Sequence, residues 1–552
     1  MQGRREGGRW VALAAIALVP LAILACRGPW QQWVPIGDNA IMGLRVGDVF
    51  TSDTPLVGAY SKFGWSHPGP VLFYLQALPY RILGSTSDAL LVGSVLVNAL
   101  SVVVLARTLW RVAGTAFAVA CLACVGFAMW TLGTSWLWYT WNPNLALLAF
   151  ACFLALAWSV SVGNLGDLPW LAAFGTLVVQ AHVGYALVVI VIATTAGALW
   201  WVDRRTRETH DVPARRPLLV TLLVLVVLWA APVLDALEHG GGNLRELAEF
   251  FLEDNPHAGW RTASRIMGLA LSERGPWLGF AEPVKFADVL DPRGTPIPWG
   301  LLLLVGATIL AVRRRDVLAR NLCVICLVAI AVGLVSLSRI VGDIFVYMVF
   351  WTRVIAAFSW VVAIWTLLRG LRGDVGVRVR HFARPLAFAA GAVALTLLCV
   401  SALRAGIGPW AETSARQGEE VASIVPDIVE NLGTSSHVHL SSDAQSFYAG
   451  TFHAGLELLL AQQGFDTDDT DDAVELEVVV GSEAILQRRA AGDVPIALSR
   501  APGRDPRNVP PPHDGEELSA YLDRLESIAP RKFHALVRAR DPASPIAVYR
   551  TP

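Results

Sequence analysis

The chain has 552 residues, 54% of them hydrophobic, and a formal net charge of −1. Its mean hydropathy of +0.51 exceeds what a soluble core can bury, which excludes a water-soluble globular protein. The balanced charge argues against a nucleic-acid partner. Only three lysines stand against 41 arginines, and with abundant Ala and Val this is typical of a GC-rich genome such as an actinobacterial one.

The N-terminal apolar run, 10–26, predicts a first membrane-spanning helix, with a cleaved signal peptide as the alternative. We favour the helix, because it keeps the polar loop that follows at the membrane. All seven cysteines lie in or at the end of apolar runs, including the pairs "CLAC" (121–124) and "CVIC" (323–326). Apolar surroundings indicate thiols packed between helices rather than a zinc or redox site.

Apolar runs along the chain predict about eleven transmembrane helices. The runs are 10–26, 88–106, 113–133, 145–160, 168–181, 184–202, 217–236, 298–312, 320–338, 343–367 and 386–403. With the N-terminus cytoplasmic, the six inner segments hold 19 arginines in 61 residues, whereas the five outer loops hold 11 basic residues in 142. This distribution satisfies the positive-inside rule and predicts a multi-pass plasma-membrane protein with an extracytoplasmic C-terminus.

Two outer loops are large, 27–87 and 237–297. In the first, the run 69–83 is short and contains Pro79 and Arg81, so it predicts a helix that lies at the interface or re-enters the membrane. In the second, "NLRELAEFFLED" and "TASRIMGLALS" have apolar residues at helical spacing, which predicts two more interfacial helices.

Beyond the transmembrane domain, predicted at 1–404, residues 405–552 have the composition of a soluble domain. Strand-like "HVHLSS", "AVELEVVV" and "PIAVYR" alternate with helical segments, which predicts an extracytoplasmic α/β domain with a largely parallel sheet. The acidic run "DTDDTDD" (466–472) lacks the glycine and the terminal glutamate of an EF-hand loop, so a solvated loop is favoured over a calcium site.

The first outer loop contains Asp38, Asp48, Asp53 and His67. Asp38 follows Pro35-Ile-Gly, and we expect it to be the N-cap of a short helix through "NAIMGLRVG", with Arg45 near the same face. A carboxylate held at the membrane surface beside a cation suits a general base acting on a hydroxyl. The alternative is that Asp38 only caps the helix. Asp48 and Asp53 are expected to be solvated loop acids, and Asp235 at the outer end of a later helix is similar.

Three features together resemble the GT-C superfamily. These are one N-terminal span, an acid at the start of the first outer loop, and a His/Lys-Pro-Pro-like motif that opens a short helix. Its members include protein O-mannosyltransferases and the lipid A aminoarabinose transferase. Family members often have "DE" and then "HPP" or "KPP", where this chain has "DN" (Asp38, Asn39) and "HPGP" (67–70). The predicted topology also matches, whereas the residue-level resemblance covers only about 35–84.

The resemblance implies an inverting glycosyltransferase that moves a sugar from a polyprenyl-phosphate donor to a hydroxyl of a cell-envelope acceptor at the outer face. Asp38 would be the base. The departing phosphate needs cations or hydrogen-bond donors. Candidates for this are Arg45, Lys62, His67, His182, Arg339 and Arg353. Candidate sugar or acceptor contacts are Asn39, Trp138, Trp141 and Asn142.

Structural roles remain alternatives for several of these residues. His182 can be an interfacial structural histidine, and "WNPN" (141–144) can be an aromatic belt followed by a helix capped by Asn142. Arg353, expected about ten residues into its helix, can instead pair with Asp343 or a carbonyl.

No cluster has metal-ligand spacing, so no metal and no cofactor are expected beside the lipid-linked donor. The expected partners are this donor and an envelope glycan, glycolipid or protein acceptor, without nucleic acid. A transporter or flippase of a lipid-linked envelope precursor is the main alternative function. It would require polar residues at mid-membrane in several helices and internal repeats. An envelope-assembly scaffold is a third possibility that leaves the first loop unexplained.

Overall fold

The computed structural model describes residues 2–27, 33–61, 63–133, 135–206, 215–278, 294 and 296–404. In the C-terminal segment it describes 418–419, 421–423, 425–426, 429, 439–442, 447–465, 467, 477–480 and 547–549. Lys62 and most of the acidic run at 466–472 lie outside the described residues.

Helices dominate the described chain, and we number them in chain order. Helices α1 to α9 are Gln2–Ala17, Val19–Arg27, Asp38–Asp48, Val71–Ile82, Ser87–Ala113, Thr115–Trp130, Ser135–Trp138, Asn142–Ser161 and Leu168–Ala181. Helices α10 to α18 are Ala186–Thr206, Arg215–Glu238, Gly242–Leu252, Gly259–Leu271, Trp299–Arg313, Val317–Ser338, Trp351–Gly370, Gly373–Leu403 and Phe447–Gln462. The strands β1 to β3 are His439–Ser442, Glu477–Val480 and Ala547–Tyr549.

Each of the eleven predicted apolar runs falls largely within one of these helices or, for the first, within the pair α1–α2. Among the described residues, seven helices are long and apolar enough to cross a membrane, and α1 and α2 are long enough together, with a 45° bend between them. Pro20 lies at this bend and explains it, because proline cannot continue the hydrogen-bond ladder. The chain is a multi-pass membrane protein. Three further apolar helices, α6, α9 and α14, are shorter, so eleven crossings stays a prediction.

The chain divides into two compact units. The first unit is Met1–Arg27, Asp53–Leu78 and Leu91–Ala405, and the second is Gly28–Ser52, Pro79–Leu90 and Gly406–Pro552. The second unit therefore combines the start of the first outer loop with the C-terminal segment. The predicted division into 1–404 and 405–552 stays a prediction.

In the first unit, the fully buried helix α8 is the centre of the bundle. It packs against α9, α10, α15 and α16. Its many alanines let these helices approach closely. Two of the buried carboxylates described in this unit pair with arginines: Asp167 with Arg111, and Asp203, which accepts two hydrogen bonds from Arg320 at 2.5 and 2.6 Å. A buried charge needs such a partner. The first pair therefore joins α5 to the start of α9, and the second joins α10 to α15.

In the second unit, α3 packs against α18 of the C-terminal segment. The contact is close because α3 presents Gly43, where an added Cβ would lie 2.8 Å from Leu458 and 2.9 Å from Leu90. Arg81 of α4 donates to the carbonyls of Gly47 and Val49 at 2.6 and 3.0 Å, which satisfies the C-terminal end of α3. Arg81 thus has a structural role in a helix of only 12 residues.

Strand β1 pairs in parallel with β2, and β2 pairs antiparallel with β3, in the order β1-β2-β3. The described sheet is therefore mixed, with one parallel and one antiparallel pair, whereas the sequence predicted a largely parallel sheet. With α18 these strands cover only part of the C-terminal segment, so the α/β domain itself stays a prediction.

Two helix starts differ from the prediction. Gly37 occupies the N-cap position of α3 with φ +50°, and Asp38 is the first helical residue without a side-chain capping bond. Only glycine adopts this backbone readily, and the Gly37 carbonyl accepts the first N–H groups of the helix. Likewise α16 begins at Trp351, after a 3-10 helix at Val346–Val349, so Arg353 lies in the first turn and not ten residues in. Hydropathy cannot separate the two helix types, because both are apolar.

Candidate functional site

The "HPGP" motif lies in a tightly held loop of the first unit, directly before α4. His67 is 6% exposed, and its backbone N–H donates to the Ala59 carbonyl at 2.7 Å. The His67 carbonyl accepts from the N–H of Gly58 at 2.9 Å. The side chain faces the turn after α9, where Nδ1 accepts from the N–H of Val183 at 3.2 Å.

His182 lies in that same turn, with its ring centroid 4.8 Å from that of His67. Its Nδ1 accepts from the N–H of Gly184 at 3.2 Å. Burial lowers the pKa of His67 well below its usual range, with the charge of His182 as a second cause, and burial lowers the pKa of His182 to about 4.

Both rings are therefore neutral at pH 7, and since each Nδ1 accepts, each proton lies on Nε2. The structure thus brings together two predicted site residues, with two N–H donors that bond to none of the described residues.

Asn243, the second residue of α12, holds the backbone beside His67. Its Oδ1 accepts from the N–H of Ser66 at 2.7 Å, and its Nδ2 donates to the Ser66 carbonyl at 2.8 Å and to the His67 carbonyl at 3.4 Å. The N–H of Asn243 donates to Oδ2 of buried Asp235 at 2.9 Å. Asp235 thereby has a structural partner rather than the role of a solvated loop acid. This clamp fixes the loop that carries His67.

Gln180 packs against Gly69 of the "HPGP" motif. Its Oε1 accepts from the N–H of Val71 at the start of α4 at 3.2 Å, and its Nε2 donates to the Leu228 carbonyl at 2.8 Å. A Cβ at Gly69 would collide with this amide and would lie 2.7 Å from Cγ of Pro232. Gly69 is therefore required by the packing of α9 and α11 against the motif.

The "WNPN" segment supports the His182 turn. Asn142 is the first residue of α8, and Trp141 occupies the N-cap position, so the predicted cap is displaced by one residue. The buried Asn142 amide donates to the Ala181 carbonyl at 2.7 Å, next to His182. This bond is the observed role of Asn142, because the carbonyls at the end of α9 lack partners within their helix.

The start of α16 lies beside the same turn. The ring of Tyr185 is 6.1 Å from that of His182 and 6.3 Å from that of Trp351, two residues before Arg353. Arg353 donates to Oγ1 of Thr131 at 2.8 Å and to the Pro276 carbonyl at 3.5 Å. Within the described residues no carboxylate pairs with it, so the predicted pairing with Asp343 is not observed there and the carbonyl contact is.

Aromatic residues from two segments line this region. Trp136 packs edge-on against Phe350, with centroids 4.5 Å apart, and Trp141 lies 4.9 Å from Tyr347. Trp141 is half-buried. Trp138 is only 3% exposed and stacks on Tyr139, so it has little surface for a ligand.

In the second unit, Asp38 is exposed in the first turn of α3 and Asn39 follows it. The backbone before it is held by the N–H of Gly37, which donates to the Thr451 carbonyl of α18 at 3.0 Å. Arg45 pairs with Asp48 at 3.3 Å, and both side chains are partly exposed. A carboxylate at a helix N-terminus is favoured by the helix dipole, which suits an ionised Asp38.

The remaining candidates are not placed together by these contacts. Arg339 is exposed at the end of α15, Asp53 is exposed in the loop, and Lys62 lies outside the described residues. No group of three or more possible metal ligands occurs in the described part of the chain, and the absence of a required metal stays a prediction.

The sequence did not point to Gln180 and Asn243 as residues that hold the candidate site. The only signal was the "GGGN" run (240–243), where a Cβ at Gly242 would lie 2.8 Å from the Asp235 carbonyl oxygen.

Comparison with known proteins gave a match at the level of structure. No family model and no curated protein matches the sequence. The structure is similar to that of ArnT from Cupriavidus metallidurans bound to undecaprenyl phosphate, with a TM-score of 0.53 and 14% identity over 90% of this chain and 96% of that one. It is also similar to the apo state of that protein, with a TM-score of 0.52 and 14% identity over 92% and 97%. The chain therefore has a GT-C fold, as the resemblance predicted.

Proposed function

We propose that the chain is an inverting glycosyltransferase that moves a sugar from a polyprenyl-phosphate donor to a hydroxyl of an envelope acceptor at the outer face of the membrane. The observation that carries the proposal is the shared fold, over most of both chains, with a membrane protein solved with undecaprenyl phosphate bound. The position of Asp38 and the pair of histidine donors support it.

Asp38 is proposed as the general base. Its carboxylate takes the proton of the acceptor hydroxyl as that oxygen forms a bond to the anomeric carbon of the sugar. The bond between this carbon and the phosphate oxygen breaks on the opposite face, so the configuration inverts and polyprenyl phosphate leaves with the electron pair. Gly37 and the packing of Gly43 hold the helix that carries Asp38 within the second unit.

His67, His182 and Arg353 are proposed to bind the departing phosphate. The two imidazoles are neutral, so their Nε2–H groups donate hydrogen bonds without the cost of burying two charges. Arg353 has a hydroxyl and a carbonyl as partners but no carboxylate within the described residues, so its positive charge is available to an anion. Arg45, Lys62 and Arg339 remain proposed as further binding residues for the donor phosphate.

Trp141 and Asn39 are proposed as sugar or acceptor contacts, because Trp141 keeps part of its ring accessible and Asn39 adjoins the base. The same proposal includes a cytoplasmic N-terminus, eleven membrane crossings and an extracytoplasmic C-terminal α/β domain.

The proposal is tested by release of polyprenyl phosphate from a panel of undecaprenyl-phosphate sugars by the purified full-length protein. Asp38→Asn is expected to lower the transfer rate at least about 1,000-fold while melting temperature is unchanged, because loss of a base removes proton transfer without removing packing. Asp48→Asn on the same helix is the matched control and should retain activity.

Wild-type rate in Asp38→Asn would refute the base assignment. If the wild-type protein moved lipid-linked sugar across vesicles without releasing polyprenyl phosphate, the flippase alternative would replace the transferase.

A further inference from the structure

A cavity of about 180 Å³ lies where α14, α15 and α16 of the first unit end or begin. It is bounded by the turn at 314–316 and the turn at 370–372. Its walls include Leu310, Arg314, Asp316, Arg369, Gly370 and Arg372. Because it lies at the ends of apolar helices, it is at the level where lipid headgroups meet a membrane protein.

The cavity has an excess of positive charge. Asp316 accepts from Nε and Nη2 of Arg369 at 2.8 and 2.7 Å, so these two charges compensate each other. Asp316 also caps α15 by accepting from the N–H of Ala319 at 3.2 Å. Arg314 and Arg372 are exposed, and neither has an ion-pair partner within the described residues. Two uncompensated guanidinium groups therefore face one small cavity.

Part of the cavity wall is apolar. Leu310 and Ala311 from the last turns of α14 line it. At Gly370, an added Cβ would collide with the side chain of Leu310, so glycine lets the end of α16 pack closely against α14 at this wall. A ligand that fits has an anionic group for the arginines and an adjoining apolar part for this wall. A phospholipid has both, whereas free phosphate has only the first.

We propose that this cavity binds the phosphate of an anionic membrane phospholipid, with Arg314 and Arg372 donating charge-assisted hydrogen bonds to its oxygens. The acyl chains follow the apolar surface of α14. This site is separate from the histidine pair and does not depend on the proposed transferase function.

Native mass spectrometry of the detergent-solubilised full-length protein, titrated with phosphatidylglycerol, tests the site. The double variant Arg314→Gln/Arg372→Gln is expected to weaken binding about 30-fold, or about 2 kcal/mol, because each arginine contributes about 1 kcal/mol near an anionic lipid. Arg313→Gln/Arg378→Gln removes the same charge from exposed neighbours that do not line the cavity and should change binding less than about 3-fold. Phosphatidylcholine should bind more weakly than phosphatidylglycerol.

Equal weakening by both double variants would overturn the proposal, because it would show general charge attraction. Inorganic phosphate that displaces the lipid at equal concentration would overturn the lipid assignment in favour of a free anion site. Melting temperatures of all variants identify any that fail to fold, and the single variants Arg314→Gln and Arg372→Gln then serve as milder changes that should each weaken binding about 5-fold.

Discussion

Replacement of Asn243 by alanine tests whether the clamp beside His67 holds the candidate site. The change removes two short hydrogen bonds to Ser66 and a longer one to the His67 carbonyl. The His67 carbonyl keeps its bond from Gly58, but the N–H and the carbonyl of Ser66 lose the amide that pairs them. An unsatisfied buried group costs about 1–3 kcal/mol, and Ser66 is half-buried, so we expect a loss of about 2–4 kcal/mol in the free energy of unfolding.

The activity of Asn243→Ala is expected to fall by up to about 100-fold, because a shift of about 1 Å in a positioned group has an effect of this size. Asn243 is a positioning residue that acts through His67. In a protein that already carries His67→Ala, the change Asn243→Ala should therefore lower the transfer rate by less than about 10-fold.

Equilibrium unfolding in mixed micelles and rates of polyprenyl phosphate release measure the two effects. Asn255→Ala, beyond the other end of α12, is the matched control, because its bonds of 3.3 and 3.4 Å are long and partly exposed, and it should cost less than about 0.5 kcal/mol. An undiminished effect of Asn243→Ala in the His67→Ala background would refute the positioning role. A stability change as small as that of Asn255→Ala would refute the clamp.

Three further changes have defined outcomes. Gly43→Ala should cost about 1 kcal/mol of unfolding free energy, because the new Cβ meets two buried leucines, whereas Gly47→Ala on the same helix meets nothing within 4 Å and should be neutral or stabilising. Lowering the pH from 7.5 to 5 should reduce the free energy of unfolding of the wild-type protein by about 2 kcal/mol more than that of the His182→Gln variant, as measured by thermal or denaturant unfolding. Arg353→Gln should weaken binding of a donor analogue yet change stability by less than about 1 kcal/mol, whereas Arg320→Gln should cost about 3–5 kcal/mol, because it removes two short charge-assisted hydrogen bonds from the buried Asp203 carboxylate.

The sign of the pH effect follows from the direction of the shift. The folded pKa of His182 is about 4 and the unfolded value is near 6.5, so between these values the unfolded chain binds more protons. Stability is therefore complete above about pH 6.5 and decreases as the pH falls towards 4. His67 contributes in the same direction. Equal pH dependence of the wild-type protein and His182→Gln would contradict the buried neutral imidazole.

Hydropathy and charge were sufficient to predict the helices of the bundle. The runs at 145–160 and 320–338 became α8 and α15, since twenty apolar residues have no other stable conformation in lipid. The amphipathic segments at 242–252 and 259–271 also formed helices, α12 and α13, as their spacing predicted. Helix ends were less predictable. The starts of α3 and α16 differ from their predicted positions. The composition around Gly37 does not mark it as the N-cap, and the 3-10 turn before Trp351 is as apolar as the helix that follows it.

The sequence by itself showed that the chain is a multi-pass membrane protein, and it made Asp38, His67 and His182 candidate site residues. Acids and imidazoles beside apolar helices are uncommon, because placing their charged forms near lipid costs free energy. Only the tertiary structure placed His67 against His182, far away in the chain, and assigned the protons to Nε2. It alone showed that α18 packs on α3 and that Asn243 clamps the histidine loop. The reason is physical: periodicity records which face of a helix is apolar, whereas hydrogen bonds between distant segments depend on packing that leaves no local pattern.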